Sequence, residues 1–290
     1  MKSILSYPDR GKWGNAKYRG NTSGHVIKDL LEHFKPQKFV EVFSGGGTGK
    51  DVALDLGITN SVHLDLNTGW DALIDDIPTG SDFVFSHPPY WDIISYSGSM
   101  YPGEHHHDLS KNMNYEEFIS KLDQVNSKIF TSLLNGGRHA FLVGDVRKKG
   151  KYYSIIKDMT WIGDCEAHLI KTQFNCVSDR KIYGNNSFIP INHEHLLVFR
   201  KNKIWEVSIK FTRTGDFNLK DFAKITWRDL IQNALESLNG QATLKEIYRV
   251  IEGCRKAQNN PHWKEKVRQT LQLHDNFSPV ERGLWRLNIA

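Results

Sequence analysis

The sequence predicts an α/β protein with a mostly parallel sheet covered by helices on both faces, followed by a small winged helix-turn-helix unit. Three observations carry this. Short apolar runs alternate with amphipathic helical patterns between residues 25 and 146, as strand–helix–strand units do. A glycine-rich turn joins the first of these strands to a helix. From Trp227 onward the pattern changes to three helices and a short strand-like tail. The length of 290 residues suits about two domains. The boundaries predicted are residues 1–203 for the α/β domain, 204–225 for a connecting segment and 226–290 for the winged-helix unit.

Each element has a local reason. HVIKDLLEHF, from His25, has apolar residues at helical spacing, and Pro36 stops it. KFVEVF reads as a buried strand, SGGGTG as a turn, and KDVALDLG as a helix closed by Gly57. SVHLDL is a second strand carrying Asp65 at its end, and DFVFS a third, running into His87-Pro88-Pro89-Tyr90. NYEEFISKLDQVNSKIFTSLLNGG is a long amphipathic helix with Gly136-Gly137 at its C-terminus. RHAFLVGDV, AHLIKTQF and HEHLLVFR follow as strands, and Arg200 to Lys203 marks the domain edge. The C-terminal helices are WRDLIQNALESLNG, TLKEIYRVIEGC and NPHWKEKVRQTLQLH, with the tail ERGLWRLNI. Trp263, Val267 and Leu271 fall at i, i+4 and i+8, the buried face of the third helix.

Composition excludes several classes. Hydrophobic residues make up 39% and charged residues 24%, as in ordinary globular proteins. No run approaches the ~18–20 apolar residues of a membrane span. The N-terminal segment has no apolar core of signal-peptide length, so a cytoplasmic protein, bacterial or phage-encoded, is expected. Cys165, Cys176 and Cys254 are odd in number and include no CxxC pair, against a disulfide scaffold or zinc ribbon. The net charge of +5 is unevenly spread: residues 201–290 carry 16 Lys/Arg against 10 Asp/Glu, while the first 200 residues are close to neutral. This points to an acidic polymer met by the C-terminal unit.

Two turns carry the chemistry. Glu41-Val42-Phe43-Ser44-Gly45-Gly46-Gly47-Thr48-Gly49 follows a strand and opens a helix, so its glycines allow close backbone approach and its N–H groups face a nucleotide-like ligand. It is not a phosphate-binding P-loop, because Asp51 follows Lys50 where Ser or Thr is required. Asp65, at the end of the next strand, can accept both hydroxyls of a ribose. Trp70-Asp71 lies beside it. The second turn is Ser86-His87-Pro88-Pro89-Tyr90-Trp91. Prolines have no N–H, so their carbonyls are pure acceptors, and an aromatic face follows at once. Such a turn suits a planar ring bearing an exocyclic amino group.

EVFSGGGTG, HLDLN, SHPPYW and HEHLLVFRK, in that order, resemble the S-adenosylmethionine-dependent amino-methyltransferases of DNA, the N6-adenine and N4-cytosine methylases. The resemblance covers residues 17–201 and implies a Rossmann-like methyltransferase domain with S-adenosyl-L-methionine as cofactor. It implies cofactor contacts from Glu41, Phe43, Ser44, Gly45, Gly46, Gly47, Thr48, Asp65, Leu66, Asp71 and Ser86. It places the target base at His87, Pro88, Pro89 and Tyr90, and the segment Tyr18 to Ser23 as completing the cofactor pocket. The family has Asp, Asn or Ser before PPY; this chain has His87. A neutral imidazole accepts a hydrogen bond from an amino group and a protonated one cannot, so the rate is expected to fall with pH through the His87 pKa, within pH 5–8.

The remaining candidates concern DNA. Ile93 to Ser97 and Tyr101 to Asp108 form a long loop beside the site, containing His105, His106 and His107; no metal is expected there. Arg147, Lys148 and Lys149, with Lys151, suit phosphates around a flipped nucleotide. Lys264, Lys266, Arg268 and Gln269 on the third C-terminal helix, with Arg282 and Arg286 on the tail, suit duplex DNA. The segment resembles winged-helix domains attached to restriction and modification enzymes. The expected activity is methylation of adenine N6 in duplex DNA, with cytosine N4 methylation, RNA base methylation and an inactive DNA-binding regulator as alternatives. No membrane partner is expected; a restriction endonuclease or a second copy of the chain remain open as partners.

Overall fold

A computed structural model describes residues 1–94, 96, 107–174, 189–210, 212, 219–221 and 225–288. The chain divides into two compact units, Met1–Arg213 and Thr214–Ala290. The predicted loop around His105 and His106, and Cys176, lie outside the described residues.

In the first unit, β1 (Ile4–Leu5) precedes α1 (Gly24–Phe34), β2 (Phe39–Val42), α2 (Thr48–Asp55), β3 (Ser61–Leu64), β4 (Ser81–Ser86), α3 (Tyr115–Ser132) and β5 (Leu133–Val143). Then come β6 (Val146–Lys148), β7 (Lys151–Tyr153), α4 (Ile155–Asp158), β8 (Trp161–Ile162), β9 (Asp164–Thr172), β10 (His193–Arg200) and β11 (Ile209–Lys210). The main sheet has the order β1-β9-β10-β5-β4-β2-β3. β2 is parallel to β3 and β4, and β4 to β5, whereas β10 is antiparallel to both neighbours. The mostly parallel α/β architecture expected from the alternating pattern is therefore present. After β2 the chain goes to one side for β3 and then to the other for β4. The sheet order reverses there, and in open α/β sheets ligands bind at that reversal, outside the carboxyl ends of the strands.

Both faces of the sheet are buried, which is why its central strands read as continuous apolar runs. Phe118, Leu122, Val125 and Ile129 of α3 pack with Val40, Val84, Phe141 and Leu197 on one face. Val26, Ile27, Leu30 and Leu31 of α1 pack with Phe39, Phe83, Leu142 and Val198 on the other. This rigid floor fixes where the two sequence turns emerge.

Three local expectations are corrected. Gly136-Gly137 does not end the long helix. The helix stops at Ser132, and Leu133 to Gly137 join β5, where the Gly136 N–H donates to the Lys201 carbonyl and the Lys201 N–H to that of Gly137. Sheet partners thus take the backbone groups that a helix cap was expected to hold. The basic segment at 146–153 is a β-hairpin rather than an open loop, with Lys149 (φ 50°) and Gly150 (φ 78°) both left-handed at its tip. Residues 209–210, assigned to a connecting segment, pair with β8 and belong to the first unit.

The second unit contains α5 (Trp227–Ser237), β12 (Gln241–Thr243), α6 (Leu244–Ile251), α7 (Arg255–Gln258), α8 (Trp263–Leu273), β13 (Phe277–Glu281) and β14 (Leu284–Leu287). Its strands form an antiparallel sheet ordered β12-β14-β13. Thr226 caps α5, and Thr243 with Glu246 forms a capping box on α6. Ile231, Leu235, Ile247, Ile251, Val267 and Leu271 make its core, with Trp263 packed against them. The third predicted helix begins later than expected, at Trp263, because the Asn260 side chain accepts the His262 N–H and holds Pro261 in a turn.

Candidate active site

At the carboxyl ends of β2, β3 and β4 the first unit has an open cavity whose empty space, the part open to solvent included, is about 740 Å³. Its floor is the glycine turn. At its start Phe43 is held at φ 65°, a left-handed conformation rare for a bulky residue and stored here where β2 breaks into the turn. Asp65 ties the turn down: one carboxylate oxygen accepts the Gly45 N–H at 2.7 Å and the other the Asn67 N–H at 2.9 Å. Glu41 is 3% exposed and accepts from His63 Nδ1 at 2.7 Å. Burial pushes its carboxyl above the ordinary range, opposed by His63. Gly49 is needed beside it, because a Cβ there would sit 2.3 Å from the Glu41 carboxylate.

The segment before α1 forms another wall. Asn15 N–H donates to the Gly46 carbonyl, and the Asn21 side chain accepts the Gly46 N–H at 3.2 Å. Tyr18 lies over Gly45 and packs on Tyr96, ring centroids 5.8 Å apart. Tyr18, Gly20, Asn21 and Thr22 all line the cavity, where the sequence placed the Tyr18–Ser23 segment. The hydroxyls of Thr22 and Thr48 are buried there without a hydrogen-bond partner.

Of the predicted cofactor contacts, Glu41, Phe43, Ser44, Gly45, Thr48, Asp65 and Leu66 border the cavity. Gly46 and Gly47 shape the turn from behind it. Two predicted contacts are placed otherwise. Ser86 is fully buried and its hydroxyl meets His139 Nε2 at 2.6 Å. Asp71 accepts the Leu73 N–H and pairs with His107 Nδ1 at 2.6 Å, so that Trp70, Ala72 and His107 border the cavity instead. His107 is the member of the His105–His107 run among the described residues, and its Nδ1 is hydrogen-bonded to Asp71.

The proline turn forms the opposite wall through His87 and Pro89. Pro88 is buried beneath. His87 Nε2 lies 2.8 Å from the Tyr90 hydroxyl, which donates to Glu194 Oε1 at 2.6 Å, and the other Glu194 oxygen accepts from Lys171. Burial pulls the His87 pKa down to about 4, with Glu194 opposing and Lys171 reinforcing the shift. Burial also pushes Glu194 up, but the Lys171 ammonium and the hydrogen bonds from Lys171 and Tyr90 bring it below the ordinary carboxylate range. The expected fall in rate between pH 5 and 8 is thereby corrected: His87 is already neutral across that range. Tyr90 was expected to present its face to a base. Its hydroxyl is bound to Glu194, and its ring packs on Gly144, where a Cβ would approach to 2.7 Å.

Lys171 and Glu194 escaped sequence reasoning, as did His63. Lys171 and Glu194 lie in strands that carry other polar residues, DCEAHLIKT and HEHLLVFR, so the register that places them directly opposite is what singles them out. Asp145 accepts from Tyr152 and Ser154 and lies 3.4 Å from His195 Nε2, anchoring the β6–β7 hairpin. On that hairpin Lys148 pairs with Asp92 and sits 4.2 Å from the Trp91 ring centroid, Arg147 covers Tyr152, and Lys149 is exposed at the tip.

In the second unit Lys264, Lys266, Arg268 and Gln269 are exposed on α8, and Arg282 and Arg286 on the β13–β14 hairpin. Arg268 donates to the Tyr248 hydroxyl and Glu265, and Lys266 to Gln269.

No protein-family model matches the chain, and no curated protein does. Among solved structures, similarity is found to a candidate DNA modification methylase of Thermus thermophilus. Its selenomethionine form is 22% identical over 35% of this chain and 41% of that chain (TM-score 0.25). Its complex with S-adenosyl-L-methionine is 18% identical over 70% of this chain and 65% of that one (TM-score 0.29). TrmN from Thermus thermophilus is 14% identical over 63% of this chain and 50% of its own (TM-score 0.33). The chain thus spans less than two thirds of the length of these structures.

Proposed function

We propose that the protein is an S-adenosylmethionine-dependent methyltransferase acting on the exocyclic amino group of a base in DNA, adenine N6 in the first instance. One observation carries the reading: a cavity at the sheet's reversal point has carboxylates on one wall and a His-Pro-Pro turn on the other. The residues fit this cofactor. Glu41 and Asp65 border the cavity and offer acceptors for an ammonium group and for ribose hydroxyls. Phe43, Trp70 and Tyr96 supply apolar faces for a purine. When bound, the cofactor supplies a methyl group activated by a sulfonium.

The chain's own residues do the rest by positioning. His87, which borders the cavity, accepts a hydrogen of the amino group, which draws its nitrogen towards a tetrahedral, more nucleophilic shape. A base inside a duplex is out of reach of such a turn, so the target enters flipped or single-stranded. The cationic hairpin with its tyrosines suits phosphates and unstacked bases around that target. The second unit, with three main helices, a short fourth and a terminal hairpin, supports the winged-helix reading, in which α8 and the hairpin meet duplex DNA.

The test is labelled methyl transfer from S-adenosylmethionine to DNA and to RNA, followed by nucleoside analysis. N6-methyladenine in DNA is the expected product. N4-methylcytosine moves the reading to cytosine, methylation of RNA alone changes the polymer, and failure to bind S-adenosylmethionine by calorimetry leaves a DNA-binding regulator.

A further inference from the structure

We propose that Glu194, acting through Tyr90, fixes the tautomer of His87, so that the ring nitrogen facing a ligand is an acceptor and the site selects reacting groups that carry N–H over carbonyl oxygens. The tautomer assignment is independent of the methyl-transfer reading; the selectivity rests on it.

The proton count of the buried chain fixes the tautomer. Lys171 and Glu194 are opposed across β9 and β10, and both are buried, at 8% and 5% exposed. With the Lys171 ammonium on one oxygen, Glu194 is a carboxylate, which only accepts. The Tyr90 hydroxyl has a single proton, and at 2.6 Å from Glu194 Oε1 that proton is committed to the carboxylate. The 2.8 Å contact between the Tyr90 oxygen and His87 Nε2 must then be filled by a proton on Nε2. The reverse arrangement would aim lone pairs of Tyr90 and Glu194 at each other across a 2.6 Å contact. A neutral imidazole with its proton on Nε2 has a bare lone pair on Nδ1.

His87 borders the cavity, and its Nε2 side is taken, so Nδ1 is the nitrogen an entering group meets. The amino group of adenine or cytosine donates to it. The exocyclic oxygen of guanine or thymine would face it lone pair to lone pair. Among the described residues, Tyr90, Glu194 and Lys171 are the charged or titratable groups that set this state. Glu194 and Lys171 are positioning residues, since they act through Tyr90.

The test is long-range proton–nitrogen NMR on the full chain labelled with 15N-histidine at pH 7, with His87 assigned through His87→Gln. The expected spectrum shows neutral His87 with its proton on Nε2. Lys171→Met/Glu194→Gln frees the amide oxygen to accept from Tyr90 and preserves that pattern. Glu194→Ala removes it, Tyr90 turns its proton to His87, and the pattern changes to Nδ1–H. If Glu194→Ala fails to fold because Lys171 is stranded, the Lys171→Met/Glu194→Ala double variant gives the same readout. A wild-type Nδ1–H pattern, or no change on removing Glu194, overturns the proposal. In methyl transfer, Glu194→Ala should lose at least tenfold in kcat and Lys171→Met/Glu194→Gln should recover most of it. An Nε2–H pattern with no methyl transfer to any base overturns the functional reading and the selectivity while supporting the tautomer.

Discussion

The pH profile of the reaction is a sharp check on the site. With the His87 pKa at about 4, about 90% of the imidazole is neutral at pH 5 and about 99% at pH 6. At the ordinary value of 6.5, about 3% would be neutral at pH 5. The two cases differ by roughly thirtyfold at pH 5 and by almost nothing at pH 8. The assay is single-turnover methyl transfer to a DNA duplex from pH 4 to 8, with cofactor and DNA saturating. The expected limb is flat from pH 8 to 5 and falls below it. Folding must be followed alongside. His87 and His139, the latter brought down to about 3 by burial, both have depressed folded pKa values. Their stabilising contribution is whole above pH 6.5 and is lost as pH falls towards those values. When complete, the loss is on the order of 3 kcal/mol for His87 and about 5 kcal/mol for His139. Rates are therefore scaled to the folded fraction measured by circular dichroism at each pH. A scaled rate that halves near pH 6.5 would refute the neutral His87.

Other outcomes follow from the same geometry. Glu41→Gln should raise the Tm of the ligand-free protein, because the folded pKa of Glu41 is raised and its charge at pH 7 opposes folding. The same variant should weaken S-adenosylmethionine binding by about tenfold or more, the size of a charge-assisted hydrogen bond, by calorimetry. Asp65→Ala strands the Gly45 and Asn67 N–H groups and should cost about 2–5 kcal/mol in urea unfolding. Gly49→Ala places a methyl 2.3 Å from the Glu41 carboxylate. It should abolish measurable cofactor binding while leaving DNA retention by the full chain unchanged. Replacing Arg147, Lys149 and Lys151 with Ala should lower the slope of log binding constant against log salt by about 3. An unchanged slope removes the hairpin from the DNA contact.

What the sequence made legible, and what it hid, divide by the distance over which information is local. The glycine turn and the His-Pro-Pro turn are each written in a few adjacent residues, and two parallel neighbours, β2 and β4, carry them to one end of the sheet. The Tyr18–Ser23 segment was legible only through resemblance, since nothing in those residues announces that Asn21 will hold Gly46. The helix end at Gly136-Gly137 was misread because its competing partner, Lys201, lies far along the chain. The hairpin at 146–153 was missed although Lys149-Gly150 is an acceptable two-residue turn. Its flanking cations drew attention to charge and away from pairing.

The state of His87 shows the same division at the level of chemistry. From sequence, a histidine in place of Asp, Asn or Ser looks like a pH-sensitive substitute for a constant acceptor. Its partner in the fold is Tyr90, three residues away, but the proton that decides its role is governed by Glu194, a further 104 residues along. Glu194 is held ionised by a lysine from the neighbouring strand. A residue that titrates in water is thereby turned into a fixed acceptor, doing with a buried ion pair what a carboxamide or hydroxyl does by its covalent structure. The cost is a buried Lys–Glu pair, which adds little to stability and is strongly destabilising when one partner is lost. Such a pair is expected where its orientation serves the site, and this one ends on the turn that faces the cavity.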